Sequence, residues 1–182
     1  MPRPDSELLN YSKEHLAYEA AMFFKLGWIL ERLADVPPID EVRVTVKNAL
    51  IESFVMHFRC LGSFLCLPNA KYPDDVLAKE FFNNPSQWSP SIPVELSKAL
   101  KRADKEIAHL TDKRIAGTNP VKEWQPKERM DEIKPMLKDF VSRSSPSKLH
   151  HSVKEFVDAL DSWLLIREEN TRLEISIRTI VV

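Results

Sequence analysis

The sequence predicts an all-α fold: a helical bundle of about five main helices plus a short helix, with a possible short C-terminal strand. Three observations lead there. Apolar residues recur every three or four positions over most of the chain. Glycine is scarce, at 3 of 182 residues, which disfavours a turn-rich β-fold. The 13 prolines cluster between the periodic stretches, where they make stiff connections. The length fits a single domain over residues 1–182 that can bury a real core, with 169–182 as an extended tail. A net charge of −1 gives no global attraction to nucleic acid or anionic membrane, so any RNA contact has to come from a local patch.

Asp5 or Ser6 can cap the first helix, which Leu8, Leu16, Ala20, Phe23, Phe24, Leu30 and Leu33 carry to about residue 34. Gly27 interrupts it at a cost of about 1 kcal/mol, a position suited to the close approach of another helix. Pro37-Pro38 ends it. The second helix runs from near Asp40 to Leu65, although Val42-Arg43-Val44-Thr45-Val46 alternates as a strand would. Its stripe is Val46, Leu50, Phe54, His57, Leu61 and Leu65. With Val55, Cys60, Gly62 and Cys66 on the other sides, it is apolar almost all round, the mark of a central helix. Glu52 and Arg59, seven apart on its far side, can interact directly or through a shared partner.

Residues 67–92 form a connection broken by Pro68, Pro73, Pro85 and Pro90, with a short helix expected over Asp74–Phe82, capped by Asp74 or Asp75. Phe81, Phe82 and Trp88 should pin it to the bundle. Pro93 opens the third main helix as an N1 proline, and Gly117 and Pro120 close it. A helix follows from about Pro126 to Ser142, which Pro135 should kink or split. After the break at Ser144-Ser145-Pro146-Ser147, a last helix is expected over about 147–168. In the tail, Leu173, Ile175, Ile177, Thr179 and Val181 alternate with mostly polar residues, a strand pattern needing a partner strand.

Cys60 and Cys66, six apart on one helix, point to different faces and cannot bridge; they read as buried thiols of a reducing compartment. Met1-Pro2-Arg3-Pro4-Asp5 leads straight into polar helix, and no apolar run approaches the ~20 residues of a membrane span. We therefore expect a soluble, cytoplasmic protein with no membrane partner.

One stretch, Leu100 to Thr111, has the makings of a chemical site. On a helix, Arg102 and His109 are two turns apart less about 20°, so both leave one face. Leu96, Leu100, Ala103, Ile107 and Leu110 form a separate core stripe. A guanidinium can give two parallel hydrogen bonds to phosphate, and an imidazole with a pKa near 6.5 can exchange a proton at neutral pH. An RNA 2′-hydroxyl supplies its own nucleophile. The plain alternative is a charge ladder of Arg102, Glu106 and His109 at i, i+4 and i, i+3, worth tenths of a kcal/mol. His57, within an apolar stripe, reads as a core histidine bonded to a carbonyl or carboxylate, and Arg59 needs a partner, Glu52 being the local candidate. His15 and the aromatic residues read as packing. His150-His151 has no metal-ligand spacing. No phosphate-cradling glycine loop is present, and neither cofactor nor metal is expected.

Arg102 and His109, with six residues between them, resemble the arginine–histidine signature of the HEPN superfamily. The phrase from Asp104 through Glu106 and His109 to Thr111, followed by Arg114, is similar to uncharacterised bacterial members. So is Glu52-Ser53-Phe54-Val55-Met56-His57-Phe58-Arg59 upstream, followed by Leu61, Phe64, Asp74-Asp75 and Phe81-Phe82. The likeness covers about residues 45–115. It implies a helical bundle that forms a homodimer, the signature helices facing across a cleft. It also implies metal-independent RNA cleavage of toxin or antiphage type, with a cognate antitoxin protein as a further partner. On that resemblance Arg102 would hold the phosphate and His109 would transfer the proton. Asp104, Glu106, Thr111, Arg114, His57 and Arg59 would be supporting residues. One position departs: relatives that cut RNA commonly place Asn, Asp or His directly after the arginine, where this chain has Ala103. Many relatives are non-catalytic, so a helical dimerisation or partner-binding module is the alternative.

Overall fold

The structure, a computed structural model, describes residues 2–34, 40–106 and 124–162. In the described residues it is an all-α bundle without strands. The first rod joins α1 (Asp5–Tyr11), a π-helical turn (Ser12–Leu16) and α2 (Ala17–Leu33) without a break. The π turn was not legible in the periodicity. At its start the buried Ser12 donates from Oγ to the Leu9 carbonyl (2.8 Å) and accepts from the His150 amide (2.9 Å). A wider turn of this kind re-aims a side chain without ending the helix.

Helix α3 (Glu41–Cys66) begins where Asp40 accepts from the Arg43 amide at 2.8 Å. Its valine-rich start is helical, not strand-like. The C-terminal half is central: Phe54, Val55, Phe58, Leu61 and Leu65 are all buried. The N-terminal half stands out from the bundle, so Val46, expected in the core stripe, is exposed. The helix is long and apolar enough to cross a membrane, with mean hydropathy 1.3 over its best stretch, but 50% of that stretch is buried inside the protein.

Residues 67–93 wrap the end of the bundle. In place of the expected helix over 74–82, this segment holds two 3-10 turns, Ala78–Phe81 and Pro85–Gln87. The physical reason is local. Asp75, expected as a helix cap, accepts from the amides of Lys71 (2.7 Å) and Tyr72 (2.8 Å) and so closes the turn before it. Pro85 then bounds the segment. Phe81, Phe82 and Trp88 do pin it, gathered around Phe140 with ring centroids 5.6, 6.1 and 5.7 Å away. Trp88 Nε1 also donates to the Leu65 carbonyl at 2.8 Å.

Helix α4 (Val94–Glu106) starts one residue after Pro93, whose carbonyl accepts from the Ser97 amide (3.0 Å). Helix α5 (Pro126–Arg143) is one helix, neither split nor ended by Pro135. That proline and Asp131, whose carbonyl loses its helical donor, are both exposed residues, a setting in which water can lower the cost. A last helix, α6, covers 151–162 in the described residues, and His150 Nδ1 accepts from the Ser152 amide (3.3 Å) at its start. Lys134 and Lys138 of α5 both bond Asp161 of α6, holding its carboxyl below the usual range. The strand expected in the tail lies outside the described residues.

Gly27 does serve a close approach. A Cβ there would stand 2.6 Å from Met130 Sδ and 3.0 Å from the Phe54 ring, so α5 crosses α2 over bare backbone.

Candidate functional site

Helix α4 carries the candidate residues, and its seat on α3 is set by one notch. Leu96 and Ala103 are fully buried, and between them Leu100 reaches over Gly62. A Cβ on Gly62 would lie 2.1 Å from Leu100 Cδ2, so only glycine lets the two helices meet at this depth. The expected core stripe of α4 is therefore observed as far as Ala103. Ile107 and Leu110 lie outside the described residues.

Two residues on either side of Ala103 take different partners. Asp104 Oδ1 accepts from Arg59 Nε, an exposed ion pair that ties α4 to α3. Arg102, half-buried, places its guanidinium 4.1 Å from the Trp124 ring centroid. Positions two apart on a helix differ by about 200°, which separates these directions. Asp104 thus stays off the Arg102 face, as the helical angles imply. Arg59 is partnered by Asp104 and not by Glu52, which is exposed. The reason is tertiary: α4 brings a carboxylate to Arg59 that no spacing within α3 can supply.

The stack on Trp124 limits how Arg102 works. An arginine lying on an aromatic face loses rotamer freedom and keeps its donors in the plane of the fork. It is oriented before any ligand arrives. His109, Thr111 and Arg114 lie outside the described residues, as does the Glu106 side chain.

His57 is a buried histidine whose Nδ1 lies 2.7 Å from Glu19 Oε2, so the carboxylate expected beside it comes from α2. Tyr18 and the imidazole pack edge to face, with ring centroids 5.7 Å apart. These partners and its burial place the His57 imidazole between α2 and α3. Cys60, one turn on, is exposed over the residue as a whole where the sequence predicts a buried thiol, while its sulfur is partly buried on the side of Glu19. Burial of the sulfur, and then the Glu19 carboxylate, push its thiol pKa up. A thiol whose pKa is raised in this way is not an activated nucleophile. Cys66 is buried as expected, its pKa pushed up to about 11 by burial.

Among the described residues no group of three or more His, Cys, Asp or Glu side chains is arranged to hold a metal ion. His150 and His151 sit against each other at 4.1 Å, and burial followed by the neighbouring His151 lowers the pKa of His150. Trp124 as the seat of Arg102, Asp104 as the partner of Arg59 and Glu19 as the partner of His57 carry no spacing signal, since each comes from another element. Compared with known proteins, the chain matches no family model, no curated protein and no solved structure.

Proposed function

We propose that this chain is an HEPN-like helical protein of toxin or antiphage type that cleaves RNA without a metal, as a cytoplasmic homodimer controlled by a cognate antitoxin protein. The observation that carries the reading is Arg102 on α4, half-buried and held 4.1 Å from the Trp124 ring on a flank separate from the core stripe. A guanidinium fixed in this way is suited to a bidentate grip on a phosphodiester. In the reaction, His109 takes the proton of the 2′-hydroxyl and the 2′-oxygen bonds to phosphorus. The bond from phosphorus to the 5′-oxygen breaks, the 5′-oxygen takes the proton from His109, and the products are a 2′,3′-cyclic phosphate and a free 5′-hydroxyl.

A second reading, a non-catalytic dimerisation or partner-binding module, draws on the Arg59–Asp104 pair. That pair commits Asp104, the acidic residue nearest Arg102 along the chain, to holding two helices together. RNA cleavage and growth arrest by wild type, Arg102→Ala and His109→Ala separate the two. The nuclease reading expects both variants to be folded and inactive. Absence of cleavage by folded wild type favours the module, and cleavage that survives His109→Ala removes this site assignment.

A further inference from the structure

The outward face of α3 has the wrong chemistry for solvent. Val42, Val46, Ala49, Ser53, Met56 and Cys60 are spaced four, three, four, three and four residues apart, the heptad rhythm of a helix–helix seam. They fall within about 80° of one another, opposite the side that carries Phe58, Leu61 and Leu65 into the core. The stripe is open: Val42 is 71%, Val46 52% and Met56 51% exposed, and Ala49 and Cys60 are exposed as well. It contains no charged residue over an axial length of about 27 Å. The charges of this helix flank it instead, with Glu52 and Arg59 on one side.

We propose that this stripe is the seam on which a second copy of the chain docks, α3 packed antiparallel against α3 about a two-fold axis. Charge decides both occupant and register. In the antiparallel register that sets Ser53 against the partner's Met56 and Ala49 against the partner's Cys60, Glu52 meets the partner's Arg59. The two-fold axis repeats that pair. Sliding by one heptad either way sets Glu52 against the partner's Glu52, or Arg59 against the partner's Arg59, both like-charge contacts. A parallel arrangement offers Glu52 only the partner's His57, and His57 is already bonded to Glu19. The favoured register also centres the overlap close to the middle of α3, so the full helix is used. Small residues at Ala49, Ser53 and Cys60 allow the two backbones to approach closely.

Arg59 suits this second contact. Its Nε donates to Asp104, and no second carboxylate residue pairs with its guanidinium among the described residues. The partner's Glu52 would complete a chain from one copy through Arg59 to Asp104 on α4, the helix that bears Arg102. The interface therefore buttresses the candidate site from outside. The surface stands on α3 alone, and its test reads mass rather than RNA cleavage, so its failure is distinguishable from failure of the nuclease reading.

The experiment uses the full chain. Wild type should sediment as a dimer at tens of micromolar. Ala49→Cys, treated with a mild oxidant, should convert to a disulfide-linked dimer through native Cys60. Wild type should not cross-link, since in this register Cys60 faces Ala49 and not its own copy, and Ala49→Cys/Cys60→Ser should not either. Glu52→Lys, at an exposed position with no ion pair among the described residues, should remain folded and raise the dimer Kd by at least about tenfold, because it sets a lysine against the partner's Arg59 in both symmetry-related pairs. A monomeric wild type overturns the proposal, since the stripe is then covered by the chain itself or by another partner. So does a dimer in which Ala49→Cys gives no more cross-link than wild type and Glu52→Lys leaves the Kd unchanged.

Discussion

Replacing Gly62 with alanine tests how α4 is seated. Two effects oppose each other. Alanine is the better helix former by about 1 kcal/mol in a helix interior. Against that, the new methyl would lie 2.1 Å from Leu100 Cδ2 and 3.1 Å from Leu100 Cγ and Cδ1, far inside van der Waals contact. Moving Cδ2 alone does not clear it, because Cγ is also close, so Leu100 must change rotamer or α4 must lift. Overpacking of this kind costs about 1–3 kcal/mol. The net for Gly62→Ala is therefore between no change and a loss of about 2 kcal/mol. In a Leu100→Ala background the obstruction is gone, and the same substitution should stabilise by about 1 kcal/mol. Urea unfolding of the four proteins gives a double-mutant cycle with an expected interaction energy of about 1–3 kcal/mol. Additive effects, with Gly62→Ala stabilising both backgrounds equally, would refute the docking of Leu100 over Gly62.

Trp124→Ala removes the ring beneath Arg102 and its packing against the core, and should cost about 1–3 kcal/mol in urea unfolding, whereas Trp124→Phe keeps a weaker aromatic face and should cost less. Glu19→Gln removes the charge beside His57 and Cys60. It should destabilise the fold by about 1 kcal/mol and lower the Cys60 thiol pKa part of the way to its ordinary value, read from the pH profile of alkylation. Burial remains, so the return is partial. The Cys66 pKa is raised from 9.0 to about 11, so above pH 9 the unfolded thiol ionises while the folded one keeps its proton. Stability should therefore fall as pH rises from 9 to about 11, by up to roughly 2–3 kcal/mol, and Cys66→Ala should flatten that part of the curve.

Much of the bundle is written in local pattern. The caps, the proline punctuation and the three-to-four spacing locate the helices, and Gly27 by itself marks a close helix approach. Where pattern misleads, a competing force is identifiable. The valines of 42–46 alternate by two but propagate a helix capped by Asp40, and the alternation leaves apolar side chains in solvent rather than in a sheet. Asp75 spends its carboxylate on the turn amides of Lys71 and Tyr72, so 74–82 tightens into a 3-10 turn. Pro135 is tolerated because it faces water. Arg59 reaches across to α4, while Glu52, two turns back on its own helix, stays exposed. The candidate site is legible only in its axial spacing: sequence places Arg102 off the core stripe, but nothing local announces that Trp124 will seat it.

The most direct measurement of the central claim is the end chemistry of RNA incubated with the full chain in excess chelator. The proposed reaction gives fragments ending in 2′,3′-cyclic phosphate and beginning with a 5′-hydroxyl, lost in folded Arg102→Ala and His109→Ala. Intact RNA with folded wild type, or fragments that form only with added metal and end in a 3′-hydroxyl, would contradict it.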